Sequence, residues 1–141
     1  MKTSSAKAKA RKLQDLVRDT FRYIFKEQLE PDDIKCAIMG TSGVDILLSP
    51  AARKLILFDI EAKNQEKLQV PAALRQASDN AAPGRIPLLV FKKNNGKVYA
   101  ALEFEHFVKL LYNQDLQKII VEVAQEKAKS LIEKLEEPTQ N

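Results

Sequence analysis

The feature that most constrains the fold of this chain is a strand-forming segment that ends in charged residues. The apolar run Leu55–Phe58 leads into Asp59-Ile60-Glu61-Ala62-Lys63. Alternate side chains of a β-strand share a face, so Glu61 and Lys63 are predicted to point the same way. Fixing a carboxylate and an ammonium group at a strand end costs free energy, so such a pair is expected where the two groups have a function. The alternative is an edge strand that ends in solvent with a surface ion pair.

Size and charge limit the classes of protein to consider. The 141 residues, 45% of them hydrophobic, are expected to form a single domain, 1–141, with a substantial core. A net charge of +4 and a pI near 9.1 suit a polyanionic partner without establishing one. The lone Cys36 excludes an intramolecular disulfide and a cysteine-rich zinc site, which suits a cytoplasmic protein. No apolar run approaches the roughly 20 residues of a membrane span, so no membrane partner is expected.

The first predicted element is an amphipathic helix over about residues 5–27, with residues 1–8 expected to be a flexible basic N-terminus. Leu13, Val17 and Phe21 recur at helical spacing, and Gln14 lies beside this apolar stripe. An ordinary solvated face is the alternative to a functional basic ridge on the next sector of the helix. The ridge consists of Lys7, Arg11, Arg18 and Arg22.

The centre of the chain alternates between strand and helix signals, which indicates an α/β fold with a mixed five-stranded sheet flanked by helices. Asp45 is near the start of the second strand, where β-propensity and burial both disfavour it. Residues 49–53 are predicted to form a turn, after which the third strand pairs antiparallel with the second. The predicted strands are 34–39, 44–48, 55–62, 86–92 and 97–102, with a helix at 71–81 and a hairpin turn at Asn94-Asn95-Gly96.

Two helices are predicted to end the chain, at 104–112 and at 114–137. The second is long, and its apolar positions form a wide stripe. We expect it to contact a second subunit of a homodimer, although docking on its own sheet is nearly as consistent with the pattern.

Asp45 and Glu61 are separated by a strand, a turn and a returning strand, so they are predicted to lie close together. With the backbone carbonyl of Ala62 they offer hard oxygen ligands, for which Mg²⁺ or Mn²⁺ is the natural ion. Such an ion polarises a phosphate and lowers the pKa of a bound water, and Lys63 is placed to orient that water or to neutralise developing charge.

These residues carry a family resemblance. Asp45 followed by Glu61-Ala62-Lys63 resembles the D…(D/E)-x-K signature of the PD-(D/E)XK nuclease superfamily. Residues 39–46 and 58–63 are more narrowly similar to archaeal-type Holliday junction resolvases and their phage relatives. The resemblance implies a restriction-endonuclease-like core in which Asp45 and Glu61 bind the metal and Lys63 is catalytic. It also implies that Ser42 lies in a loop by the scissile phosphate.

One position departs from the family pattern. The family usually has a glutamate in the first helix near the metal, and Gln14 stands there instead. A glutamine oxygen can still accept a hydrogen bond from metal-bound water.

The function that the resemblance implies is a Mg²⁺-dependent endonuclease that resolves four-way DNA junctions by paired nicks as a homodimer. A phage-encoded enzyme acting in the host cytoplasm fits this expectation. Binding is expected to depend on phosphate contacts and on DNA shape. The candidate DNA-binding residues are Lys7, Lys9, Arg11, Lys12, Arg18, Lys35, Lys67, Gln76 and Lys92.

Two alternatives stay open at this point. A nuclease of the same superfamily could act on flap, mismatched or site-specific duplex DNA, since substrate choice lies in loops and dimer geometry. A noncatalytic nucleic-acid-binding module could also keep the fold, and the replacement of an acid by Gln14 favours it.

Overall fold

The computed structural model describes residues 3–137, which form an α/β domain. Five α-helices and five strands occur in this range, with a short 3-10 turn at Pro31–Asp33 before the first strand. In chain order they are α1 (Ser4–Ile24), β1 (Ile34–Cys36), β2 (Ile46–Leu48), α2 (Pro50–Leu55), β3 (Phe58–Asn64), α3 (Val70–Asn80), β4 (Ile86–Lys92), β5 (Tyr99–Ala101), α4 (Phe104–Leu111) and α5 (Gln114–Glu136).

The strands divide into two sheets, so the expectation of one five-stranded sheet is wrong. β1 and β2 form an antiparallel pair, while β3 runs parallel to β4 and β4 runs antiparallel to β5. β1 and β2 have only three residues each. The backbone contact that links this pair to β3 is the Asp45 N–H donating to the Ile60 carbonyl at 3.0 Å. The first pair therefore lies beside the larger sheet without extending its ladder.

The predicted turn at residues 49–53 is instead the start of a helix. The Ser49 hydroxyl accepts a hydrogen bond from the Ala52 N–H at 3.1 Å and so caps α2, whose first residue is Pro50. Serine at the N-cap and proline in the first turn are standard helix-start signals. Because α2 occupies the connection, β3 begins at Phe58 and pairs with β4, and the predicted antiparallel pairing with β2 is wrong.

α1 supplies one side of the core. It begins at Ser4, so most of the segment that we expected to be flexible is helical, while Met1 and Lys2 lie outside the described residues. Leu13 and Val17 are buried against β3 and the first strand pair. Gln14, beside them, is also buried.

β4 is the central strand of the larger sheet and confirms the prediction for residues 86–92. Pro87 is tolerated there for a geometric reason. The Ile86 N–H donates to the Leu57 carbonyl on the β3 side, so the next backbone nitrogen faces the other side. β5 pairs only with the segment Leu89–Phe91, so Pro87 deprives no β5 carbonyl of a partner.

α5 is docked by its first half. Ile119 and Val123 pack against the core, and the Lys127 ammonium lies 5.5 Å from the centre of the Tyr23 ring. Leu131 and Leu135, in the second half, are 62% and 86% exposed. No helix in the part of the chain that the structure describes is long and apolar enough to cross a membrane.

Candidate functional site

Asp45 is fixed at the junction of the two sheets, one residue before β2. Its backbone N–H donates to Ile60, and its carbonyl accepts from the Ala37 N–H at 2.8 Å. Its side chain accepts a hydrogen bond at Oδ2 from the Ala62 N–H at 2.7 Å. The Asp45 carboxylate is thereby held against β3, next to the strand position that carries Glu61.

Glu61 and Lys63 share a face of β3, as the strand period predicts. Lys63 Nζ lies 3.5 Å from Glu61 Oε1, and the Glu61 side chain is only 4% exposed. Asn80, the last residue of α3, approaches the other carboxylate oxygen with Nδ2 at 3.5 Å from Oε2. Sequence reasoning missed Asn80, because only the packing of α3 beside β3 brings it to Glu61.

The surroundings of Glu61 disfavour its charged form. Burial raises the pKa of the Glu61 carboxyl above its ordinary value, and the nearby charge of Asp45 raises it further. Lys63 and Asn80 act in the opposite direction without cancelling these effects. A divalent cation beside Asp45 and Glu61 would favour the charged form of both carboxylates.

Asp45, Glu61 and Lys63 line an open cavity of about 540 Å³. Gln14 reaches it from α1 and is only 7% exposed, so the place of the expected acid is taken by a buried amide. Lys9, five residues earlier on α1, lines the same cavity. The structure therefore brings together Gln14, Asp45, Glu61, Ala62 and Lys63.

The donor set fits a hard divalent cation. Two carboxylates, the Ala62 carbonyl and the Gln14 amide oxygen are all oxygen donors, which Mg²⁺ prefers, and Mg²⁺ commonly uses one or two carboxylates while keeping several waters. Among residues 3–137 no cluster of three or more His, Cys, Asp or Glu side chains is placed to hold a metal. A site here therefore depends on two acids.

Ser42 lines a different cavity from Glu61, and its expected place beside the scissile phosphate stays a prediction. The loop before Asp45 turns through Gly40 and Gly43, which have φ values of +85° and +106° that favour glycine. Ser42 is exposed and lines a separate cavity with Arg53. Within this loop Thr41 is the hydroxyl residue that lines the Glu61 cavity, and its Oγ1 donates to the Ile38 carbonyl at 2.6 Å.

The candidate phosphate contacts fall into three groups. Lys9, Lys12 and Lys92 lie at the Glu61 cavity or at the cavity adjoining it. Arg18 instead pairs with two carboxylates of its own helix, at 3.2 Å and 2.9 Å, which weakens its case as a phosphate contact. The side chains of Lys7, Arg11, Lys35, Lys67 and Gln76 are exposed and line neither of these cavities. Arg22, the remaining member of the ridge, donates to the Ile34 carbonyl at 2.9 Å.

Asp59, two residues before Glu61, has a structural role that the sequence did not indicate. Its buried carboxylate lies 3.0 Å from Arg85 Nε and accepts a second bond from the Ala82 N–H at 2.9 Å. Arg85 also donates to the carbonyls of Arg53, Ile56 and Phe58. Its partners are 26 to 32 positions away along the chain, so no local pattern announces them.

Comparison of this chain with protein-family models, with curated proteins and with solved structures gave no significant match.

Proposed function

We propose that this protein is a metal-dependent endonuclease that hydrolyses phosphodiester bonds of branched DNA, with the four-way junction as its preferred substrate. The observation that carries the proposal is the buried Glu61 carboxylate, which faces an open cavity beside Asp45 and Lys63. A carboxylate with a raised pKa in a cleft, next to a second acid and a lysine, is typical of a functional site.

In this proposal Mg²⁺ or Mn²⁺ is held by Asp45, Glu61 and the Ala62 carbonyl. Such an ion, when bound, polarises the phosphate and lowers the pKa of a water. The Lys63 ammonium, 3.5 Å from Glu61 Oε1, brings a positive charge to the same face of β3. There it orients the attacking water or neutralises charge that develops on the phosphate oxygens. Gln14 accepts a hydrogen bond from water at the edge of the site.

The preference for junctions is supported by the resemblance of residues 39–46 and 58–63 to junction resolvases. Paired nicking needs two sites, and the exposed apolar residues of α4 and α5 support a homodimer. Phe104 and Leu111 on α4 and Leu131 and Leu135 on α5 are all more than half exposed. The proposed dimer requires these side chains to form one apolar patch, which is the usual mark of an interaction site.

The test compares cleavage of a mobile four-way junction, a flap, a mismatched duplex and a linear duplex, each with Mg²⁺ and with EDTA. Asp45→Asn and Lys63→Ala are compared with Lys54→Ala, a control on α2 that lies outside the Glu61 cavity. We expect Mg²⁺-dependent symmetric nicks in the junction. Each site variant should lower the rate at least about 100-fold, while the control retains full activity.

Cutting that persists in EDTA, or full activity in both site variants, would refute the assigned site. Preferential cutting of a flap or a mismatch would keep the chemistry and change the substrate. Junction binding with no cutting under any metal would favour the noncatalytic module, to which the absence of an acid at Gln14 points.

A further inference from the structure

A second cavity, of about 450 Å³, adjoins the Glu61 cavity. Lys9, Asn64 and Asn94 line both, so the two form one continuous depression. Lys12 of α1 and Lys92, the last residue of β4, line only the second cavity, together with Asn95.

The chemistry of this second cavity suits an anion. Three lysines line it with amide side chains, and no acidic residue is among its lining residues. None of the ion pairs formed within residues 3–137 involves Lys9, Lys12 or Lys92. The cavity lined by Lys54 is different, because Glu27, Glu122 and Glu126 line it as well. Positive charge is thus concentrated where the depression continues away from Glu61.

Two hydrogen bonds hold the far side of the second cavity in place. The Gln65 N–H donates to the Lys92 carbonyl at 3.2 Å, and Glu66 accepts a hydrogen bond from the Asn94 N–H. Asn95 has a φ of 55°, a left-handed conformation that asparagine tolerates. The β4–β5 turn is therefore tied to the end of β3, and Asn94 and Asn95 of this turn line the same cavity as Lys9 and Lys12 of α1.

We infer that this second cavity is a subsite for a neighbouring phosphate of the DNA strand whose phosphodiester bond is cut. The inference rests on the proposed function and extends it. The strand runs from the Glu61 cavity between α1 and the β4–β5 turn, where Lys12 and Lys92 bind its backbone. Phosphate contacts of this kind fix the register of the strand and read no base sequence.

The first experiment measures binding in EDTA to the four-way junction and to linear duplex at several salt concentrations. Lys12→Gln, Lys92→Gln and the double variant are compared with wild type and with Lys54→Gln, the lysine of the acidic cavity. Loss of one phosphate contact lowers the slope of log K against log salt by about 0.9 for duplex DNA. We expect each single variant to bind several-fold more weakly with a shallower slope. Lys54→Gln should behave as wild type.

The second experiment places a neutral methylphosphonate at one backbone position at a time in the junction. Wild type should lose affinity at one phosphate near the cut, and the double variant should lose nothing further there. Equal losses for wild type and double variant at every position would overturn the subsite.

The two proposals can fail separately. If Mg²⁺-dependent cutting is observed while both variants bind and cut like wild type, the subsite is refuted and the nuclease proposal stands. If no DNA is cut but the neutral-linkage effect depends on Lys12 and Lys92, the nuclease proposal fails, and the second cavity stands as a site that binds a DNA phosphate. If wild type binds none of these DNAs, both are refuted.

Discussion

At the scale of single residues, Glu61 couples the candidate chemistry to stability. Its pKa is raised in the folded protein, so the folded state holds this proton more tightly than the unfolded state does. Without metal, Glu61 therefore lowers the free energy of unfolding as pH rises from the ordinary glutamate pKa, about 4.3, through the raised value. The residue that we propose as a metal ligand therefore lowers the stability of the metal-free protein at neutral pH.

Glu61→Gln should therefore stabilise the metal-free protein at neutral and higher pH. Urea unfolding in EDTA should give a higher midpoint than wild type near pH 8, and the gain should shrink near pH 4. Lys63→Met is the matched variant, and it should lower the urea midpoint near pH 8. Lys63 lowers the pKa of Glu61, so its loss makes the charged Glu61 less favourable in the folded state. A Glu61→Gln midpoint at or below wild type at both pH values would contradict this account.

Substitution of Gln14 tests what an acid would do at the position where the nuclease family usually has a glutamate. Gln14→Glu adds a third carboxylate to the cavity, which should lower the Mg²⁺ concentration needed for half-maximal activity or binding. The same change should destabilise the metal-free protein by about 1 to 3 kcal/mol, because another charge is buried near Asp45 and Glu61. Titration calorimetry with Mg²⁺ and urea unfolding in EDTA measure the two effects, with Gln14→Ala as the control for lost side-chain volume. Unchanged metal affinity in Gln14→Glu would show that position 14 is not beside the ion.

At the scale of elements, the Arg85 and Asp59 pair joins α2, β3 and the start of β4. Arg85 donates to three backbone carbonyls and to one buried carboxylate, so its loss removes four hydrogen bonds, of which those to Asp59, Ile56 and Phe58 are partly buried. Arg85→Met should cost about 3 to 5 kcal/mol, the usual penalty for removing one partner of a buried ion pair. Urea unfolding measures it, and Arg75→Met, on the exposed face of α3, should change stability by no more than about 0.5 kcal/mol.

The Asp59–Arg85 pair also helps to hold the strand that carries the candidate site, because Asp59 and Glu61 both lie on β3. Asp59→Asn combined with Arg85→Met should cost less than the sum of the single changes, since the double variant buries no unpaired charge. Fully additive costs would indicate that the two side chains do not interact.

For the whole molecule, we predict self-association through the second half of α5, where Leu131 and Leu135 are exposed. We expect wild type to have a dimer mass by light scattering, with Leu131→Glu and Leu135→Glu together giving a monomer that keeps the same far-ultraviolet circular dichroism. Charged residues at the core of an apolar interface are strongly disfavoured, whereas the same residues on a solvated helix cost little. Lys129→Glu introduces a negative charge at another exposed position of the same helix. It therefore distinguishes an effect of charge alone from the loss of an apolar contact. A monomer mass for wild type at assay concentrations would count against two-site nicking.

The sequence predicted much of the fold from local signals. Helical period placed α1, α3, α4 and α5 within a few residues, and the hairpin signal at Asn94-Asn95-Gly96 placed the β4–β5 turn. It missed α2, whose six residues are too few to show a period, although Ser49 and Pro50 carried a helix-start signal. The predicted proximity of Asp45 to Glu61 agrees with the structure, although Asp45 precedes β2 and no antiparallel β2–β3 pair joins them.

Which side chains share a face could be predicted from the sequence, because strand and helix periods are local properties of the backbone. That reasoning was enough to pair Glu61 with Lys63 and to put Gln14 beside the apolar stripe of α1. The division of the strands into two sheets, the separate cavities of Ser42 and Glu61, and the contacts of Asn80 and Arg85 with β3 depend on tertiary packing. Those contacts join residues 15 to 32 positions apart, or depend on the path of a glycine loop. Their partners are selected by packing between elements, which no single stretch of sequence encodes.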